Sequence, residues 1–187
     1  RILQRPTRST RFPYTTLFRS DQNMEEAAYC MEQATDRCKM YCGEKNQMYS
    51  ALSEELARMY NAAGRREESL ACHLAVRNQL LKNGYREGSM LLMVDNNMSV
   101  VYLDLGRPEE AIPYLTEALE LTKENGLVGS AVAEPTWNLA RVYRALGDEE
   151  KEDIYLKAAV EGFRECYPPE HPKRIAAEQR LKERQGE

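Results

Sequence analysis

Cys38 and Cys42 come nearest to a chemical spacing in this chain: four residues apart on a helix, they share a face and could offer paired thiolates to a soft metal. A closed zinc site needs four ligands, and no third or fourth stands nearby, so structural thiols are the better reading. The two histidines, His73 and His171, lie far apart without a nucleophile partner, which leaves a hydrolase constellation unsupported. Glu25-Glu26, Glu67-Glu68 and Glu109-Glu110 have the right type for acid-base work or cation binding. Their recurrence at one repeat position points instead to carboxylates that complement the positive end of a helix dipole. No glycine-rich phosphate cradle occurs. The chain is therefore read as no enzyme, with no cofactor and no metal.

The elements that position these residues repeat about every 42 residues. Leu56-Ala57, Tyr60 and Gly64 are followed by Met98-Ser99, Tyr102 and Gly106, then by Leu139-Ala140, Tyr143 and Gly147, all with one internal spacing. Beyond each glycine come Glu67-Glu68-Ser69 and Val76, Glu109-Glu110-Ala111 and Ala118, and Glu150-Lys151-Glu152 and Ala159. Glu25-Glu26-Ala27 and Ala34 form a leading half copy. Leu, a small residue and Tyr at i, i+1 and i+4 make one apolar stripe of a first helix. Glycine ends it, and the acids open a second, antiparallel helix. The pattern predicts helices over 23–42, 47–63, 66–83, 88–105, 108–124, 130–146, 149–166 and 172–184. Pro108 suits a first turn, whereas Pro113 and Pro135 lie deeper and should bend their helices. Cys30 and Cys72 fall where Tyr114 and Tyr155 stand later, so both are expected to pack. His73 aligns with Met31, Leu115 and Leu156, an interior position.

In these residues the chain resembles the tetratricopeptide repeat family, in the long-period variety similar to kinesin light chains and bacterial relatives, as does Tyr167-Pro168-Pro169-Glu170-His171-Pro172. The resemblance spans roughly Met24 to Leu181. It implies an all-α fold: antiparallel helix-pair repeats stacked in a right-handed TPR solenoid. About three full repeats (47–83, 88–124, 130–166) follow a half-repeat over 23–42, and 172–184 form a C-terminal capping helix. Ser69 and Glu152 stand at the usual second-helix Ala position, and Asp95 and Thr136 at an often bulky one.

The resemblance also implies that first helices line a concave groove for an extended peptide, held without catalysis. The position before the Leu-Ala pair is Glu55, Asn97 and Asn138; an amide there both donates to and accepts from a peptide backbone. The same face continues through Arg58, Val100 and Arg141 to Asn61, Leu103 and Arg144. Arg141 and Arg144 suit an acidic side chain or C-terminal carboxylate, unless they are solvated partners of Glu134 or Glu55. Trp137 either offers an aromatic platform or packs between repeats. The groove set is thus Glu55, Arg58, Asn61, Asn97, Trp137, Asn138, Arg141 and Arg144.

Residues 1–20 are read separately. They hold five arginines and no acid, and Phe12 to Ser20 is what a common sequencing adapter encodes, so the segment is expected to be an assembly artefact and disordered; a basic arm or targeting peptide is the competing reading. Residues 21–187 form the repeat domain, and counting back one period places a helix upstream of 23–42, so the natural chain is expected to continue there. Without those arginines, 21 basic residues face 30 acids, a balance of −9. Such a balance argues against a nucleic-acid partner. No apolar run approaches the roughly 18 residues of a membrane span. Five cysteines, an odd number, favour a reducing, cytoplasmic setting. The leading expectation is a scaffold for a protein or peptide partner; the alternatives are a sensing domain of a larger regulator and a structural spacer.

Overall fold

A computed structural model describes residues 21–85 and 89–186. The segment read as an artefact lies outside the described residues. Among these, all regular structure is helical: α1 (Asp21–Cys42), α2 (Gln47–Ala62), α3 (Arg66–Lys82), α4 (Ser89–Asp104), α5 (Pro108–Glu124), α6 (Ser130–Leu146), α7 (Glu149–Cys166) and α8 (Pro172–Gln185). The sequence periodicity places every helix within two residues of these bounds.

Each helix packs on the next along the chain, and α4 also packs against α6 and touches α2. No comparable contact joins α3 to α5 or α5 to α7 among the described residues. Helices that touch across repeats line the shorter arc of a curved stack, so α2, α4 and α6 form its inner layer. A continuous core runs between the layers through Leu70, Val76, Leu91, Val94, Met98, Leu115 and Leu139. Towards the C-terminus it passes to Ala133, Leu156, Val160, Phe163 and Ala177. Each large apolar side chain fully buried in this way stabilises the stack by about 1.5–3 kcal/mol.

One local device is repeated at the end of every first helix. Gly64, Gly106 and Gly147 adopt φ of 78°, 70° and 72°, which only glycine takes without a Cβ penalty. The next residue then donates its N–H back to the repeat tyrosine: Arg65 to Tyr60 O (2.8 Å), Arg107 to Tyr102 O (2.9 Å) and Asp148 to Tyr143 O (3.0 Å). A cation settles over each tyrosine ring, Arg65 at 4.3 Å, Arg107 at 5.4 Å and Lys151 at 4.9 Å from the centroids. Tyr102 and Tyr143 also stack on Tyr114 and Tyr155.

The departures from the repeat pattern each find a hydrogen-bond partner nearby. Ser69 donates to Ala57 O at 2.7 Å, and Thr136 to Val132 O at 2.7 Å. Asp95 is fully buried and accepts from Arg77 Nε at 2.7 Å, while Arg77 also bonds Glu117 and lies over Tyr114. Its second oxygen, Oδ2, has no partner. Burial therefore pushes the Asp95 carboxyl up to about 6, against the pull of Arg77.

Two measurements follow from this packing. Gly162 lies inside α7, and a Cβ added there would stand 2.9 Å from Ala133 Cβ of α6. Gly162→Ala gains about 1 kcal/mol of helix propensity but overpacks the seam at a cost of about 1–3 kcal/mol. Urea unfolding should show a net loss of about 1 kcal/mol, abolished in an Ala133→Gly background. A native carboxyl raised above its unfolded value binds protons more readily when folded. Asp95 thus weakens the fold increasingly as pH rises from about 3.8 to about 6. The stability of the wild type relative to Asp95→Asn should rise on acidification across that window.

Candidate peptide-binding groove

The inner layer is tied together by polar side chains that cross between first helices. Glu54 on α2, 2% exposed, accepts from Asn97 Nδ2 on α4 at 2.6 Å and meets His73 Nδ1 on α3 at 2.8 Å. One repeat further, Asn138 Nδ2 on α6 donates to Asn96 Oδ1 on α4 at 3.1 Å, and Arg141 Nη1 donates to Asn138 Oδ1 at 3.3 Å. The asparagines expected to hold a peptide backbone are therefore engaged within the protein. Asn97 stays half-exposed, whereas Asn138 is buried. His73, 1% exposed, is the interior imidazole that its repeat position implies.

The remaining predicted residues fall into separate neighbourhoods. Glu55 pairs with Arg58 at 2.8 Å on α2 and borders a cavity of about 660 Å³ against α1. Asn61, in the last turn of α2, has its Oδ1 buried without a partner. Asn97 lines a cleft of about 230 Å³ between α4 and α6, with Met93, Asn96 and Glu134. Trp137, Arg141 and Arg144 come together around a smaller cleft of about 80 Å³, completed by Leu156, Glu152 and Arg180. Both readings of Trp137 meet here: its ring packs edge-on to Phe163 at 6.4 Å, yet it also lines the cleft.

Charge is distributed unevenly around that cleft. Glu152 stands at the small-residue position of the repeat, 3% exposed, and receives Arg180 of α8 through Nε at 2.7 Å and Nη2 at 3.1 Å. Arg141 and Arg144 form no ion pair within 4 Å among the described residues. Burial draws the half-buried Arg141 guanidinium below its usual pKa, with the Asp104 carboxylate opposing. Sequence reasoning missed Arg180, although an acid at an alanine position of the stack was a signal that a cation must lie opposite.

The cysteines divide. Cys38 is buried, but Cys30 is exposed, which corrects its assignment as a packing residue: α1 has no first helix against that face among the described residues. Cys72 is half-buried, donates to Ser53 O at 3.1 Å, and is pushed up to about 11 by burial, so its thiol stays protonated. No group of three or more His, Cys, Asp or Glu side chains is arranged to hold a metal among the described residues.

Residues 90–181, which include most of α4, all of α5 to α7 and the inner cleft, match the tetratricopeptide repeat family model. Residues 90–181 carry tetratricopeptide repeats. Its fold resembles a Podosopora anserina protein assigned as a kinesin light chain with nearly identical TPR-like repeats. For a point variant of that protein the TM-score is 0.73 and the identity 23%, over 89% of this chain and 81% of that one. BtubC (BKLC) from P. vanneervenii has a TM-score of 0.71 and 18% identity, over 88% and 74% of the two chains. No curated protein matches the sequence significantly. The tetratricopeptide stack thus extends structurally beyond the residues that the family model covers.

Removing one member of the Glu152–Arg180 pair should cost more than removing both. Arg180→Ala leaves a buried carboxylate uncompensated and should lower stability by about 3 kcal/mol, whereas Glu152→Ala with Arg180→Ala should recover most of the loss in thermal unfolding.

Proposed function

We propose that this chain is a non-catalytic scaffold whose inner layer of helices holds a segment of a partner protein. The observation that carries the reading is Arg141: a half-buried guanidinium on the inner layer with no carboxylate in direct contact among the described residues, Asp104 acting on it only from a distance. A cation already stripped of much of its water, beside a second unpaired cation in Arg144 and an indole in Trp137, favours an incoming carboxylate. An acidic side chain or the C-terminal carboxylate of the ligand would meet Arg141 and Arg144. An apolar side chain would rest on Trp137, and the side-chain carbonyl of Asn97 would accept a backbone N–H farther along. Tetratricopeptide repeats are a fold typical of protein-interaction scaffolds, which supports the same reading. No helix among the described residues is long and apolar enough to cross a membrane. The free thiols fit a cytoplasmic setting.

The test is binding to a peptide library displayed with free C-termini, followed by the same peptides amidated. Loss of a charge-assisted contact corresponds to about 1.5–3 kcal/mol, so Arg141→Ala should weaken selected peptides by about 10–100-fold. Arg58→Ala, whose guanidinium is already paired with Glu55, should change little. Equal binding by all variants would remove the groove from the account.

A further inference from the structure

Arg141 and Arg144 stand three residues apart on α6, so both guanidinium groups serve one stretch of the inner layer. The corresponding residues of the preceding first helices are Arg58 and Asn61 on α2 and Val100 and Leu103 on α4. Of these only Arg58 is charged, and it is paired with Glu55 at 2.8 Å. Among α2, α4 and α6, α6 alone offers two cations with no acid paired to either among the described residues.

The surroundings leave that double charge in place. The cleft of about 80 Å³ that both arginines line is walled by Trp137, Ala140 and Leu156 and by the ion pair of Glu152 with Arg180. Both oxygens of Glu152 are taken by Arg180, at 2.7 Å and 3.1 Å, so this pair adds no net charge. Asp104 acts on Arg141 only from a distance. Asn138 accepts one donor of Arg141, at 3.3 Å, and leaves the rest of the fork open. Two guanidinium forks at one small cleft call for an anion with two charges and more than two oxygens. A carboxylate supplies one charge and two oxygens, enough for one fork. A phosphate monoester carries about −1.5 to −2 at pH 7 and three strong acceptor oxygens.

Resting on the peptide reading above, we infer that the partner segment is phosphorylated, and that Arg141 and Arg144 together receive the phosphate of a phosphoserine or phosphothreonine. The half-buried Arg141 supplies the partly desolvated contact, and the exposed Arg144 supplies the second charge. The small cleft suits a compact group on a short stem, with the stem against Trp137 and Leu156.

Trp137 is the only tryptophan of the chain, so its fluorescence reports occupation of the cleft. The test screens the full chain against two libraries of short peptides, amidated at the C-terminus, one with a central phosphoserine and one with glutamate in its place. Peptides selected from either library are remade with the other residue and titrated. The phosphoserine versions should bind about 10–100-fold more tightly, as a second charge-assisted contact provides. The charged groups facing the cleft are Arg141 and Arg144 of α6, Glu152 of α7, Arg180 of α8 and, from a distance, Asp104 of α4, with no histidine among them. The second phosphate proton, with a pKa of about 6, is therefore expected to set the pH response: from about pH 7.5 to about pH 5.5 the phosphoserine complexes should weaken about fourfold and the glutamate complexes should hold. The glutamate complexes also control for Asp95, which titrates in the same range. Arg144→Ala, at an exposed position, should keep its helical circular dichroism and bring phosphoserine peptides down to the glutamate level. Glutamate versions that bind as tightly as phosphoserine ones overturn the inference and leave the groove reading standing. If no peptide from either library moves the Trp137 fluorescence, both fall.

Discussion

A two-helix unit of this sequence cannot bury its own apolar stripe, and every other feature of the molecule answers to that constraint. Leu139, Val142 and Leu156 are fully buried only because α5, α6, α7 and α8 are stacked in order. Close stacking needs small residues at the seams, and the approach of Gly162 to Ala133 shows how little space remains there. The glycine turns after Tyr60, Tyr102 and Tyr143 keep the spacing of successive pairs constant, while a cation lies over each tyrosine ring. Repetition therefore fixes which side of each first helix faces inwards. The inner surface is a consequence of the core.

Polar groups decide how that surface is used. Glu54 with Asn97, and Asn96 with Asn138, form bridges between first helices whose partners lie more than forty residues apart in sequence. Such bridges satisfy buried polar atoms and hold the repeats in register, since an unmade hydrogen bond at these sites would cost about 1–3 kcal/mol. The bridging stops at Arg141. Its guanidinium touches Asn138 but forms no direct ion pair among the described residues, so the last member of the series carries charge that only the more distant Asp104 carboxylate offsets. Glu152, which lines the same cleft, shows the alternative outcome: a buried charge answered by Arg180 becomes part of the architecture.

Architecture was legible in the sequence because it is written redundantly. Three full copies and a leading half copy of one pattern locate the helices, and the glycines and acids mark their ends, so an error at one residue is corrected by its counterparts. Site chemistry is written once. Nothing in Asn138 itself tells that Asn96 and Arg141 will occupy its amide, because that depends on which residues happen to meet across a repeat boundary. Cys30 was misread for a related reason: the repeat position implies burial, but burial requires a neighbour that the other copies have and α1 lacks among the described residues. The departures at Ser69, Asp95 and Glu152 were visible as anomalies, and each proved to mark a hydrogen bond or ion pair with a neighbouring helix.

The central claim is that ligands meet the inner layer of first helices and not the outer layer. Side-chain and backbone NMR shifts, followed while a short peptide with a free C-terminal carboxylate is added, test it directly. The account predicts movement at the Trp137 indole N–H, the Arg141 Nε–H and the Asn97 side-chain amide, with the outer helix α7 near Ile154 unmoved. Shifts centred on Ile154 and the exposed faces of α3, α5 and α7, with the Trp137 and Arg141 signals unchanged, would contradict it.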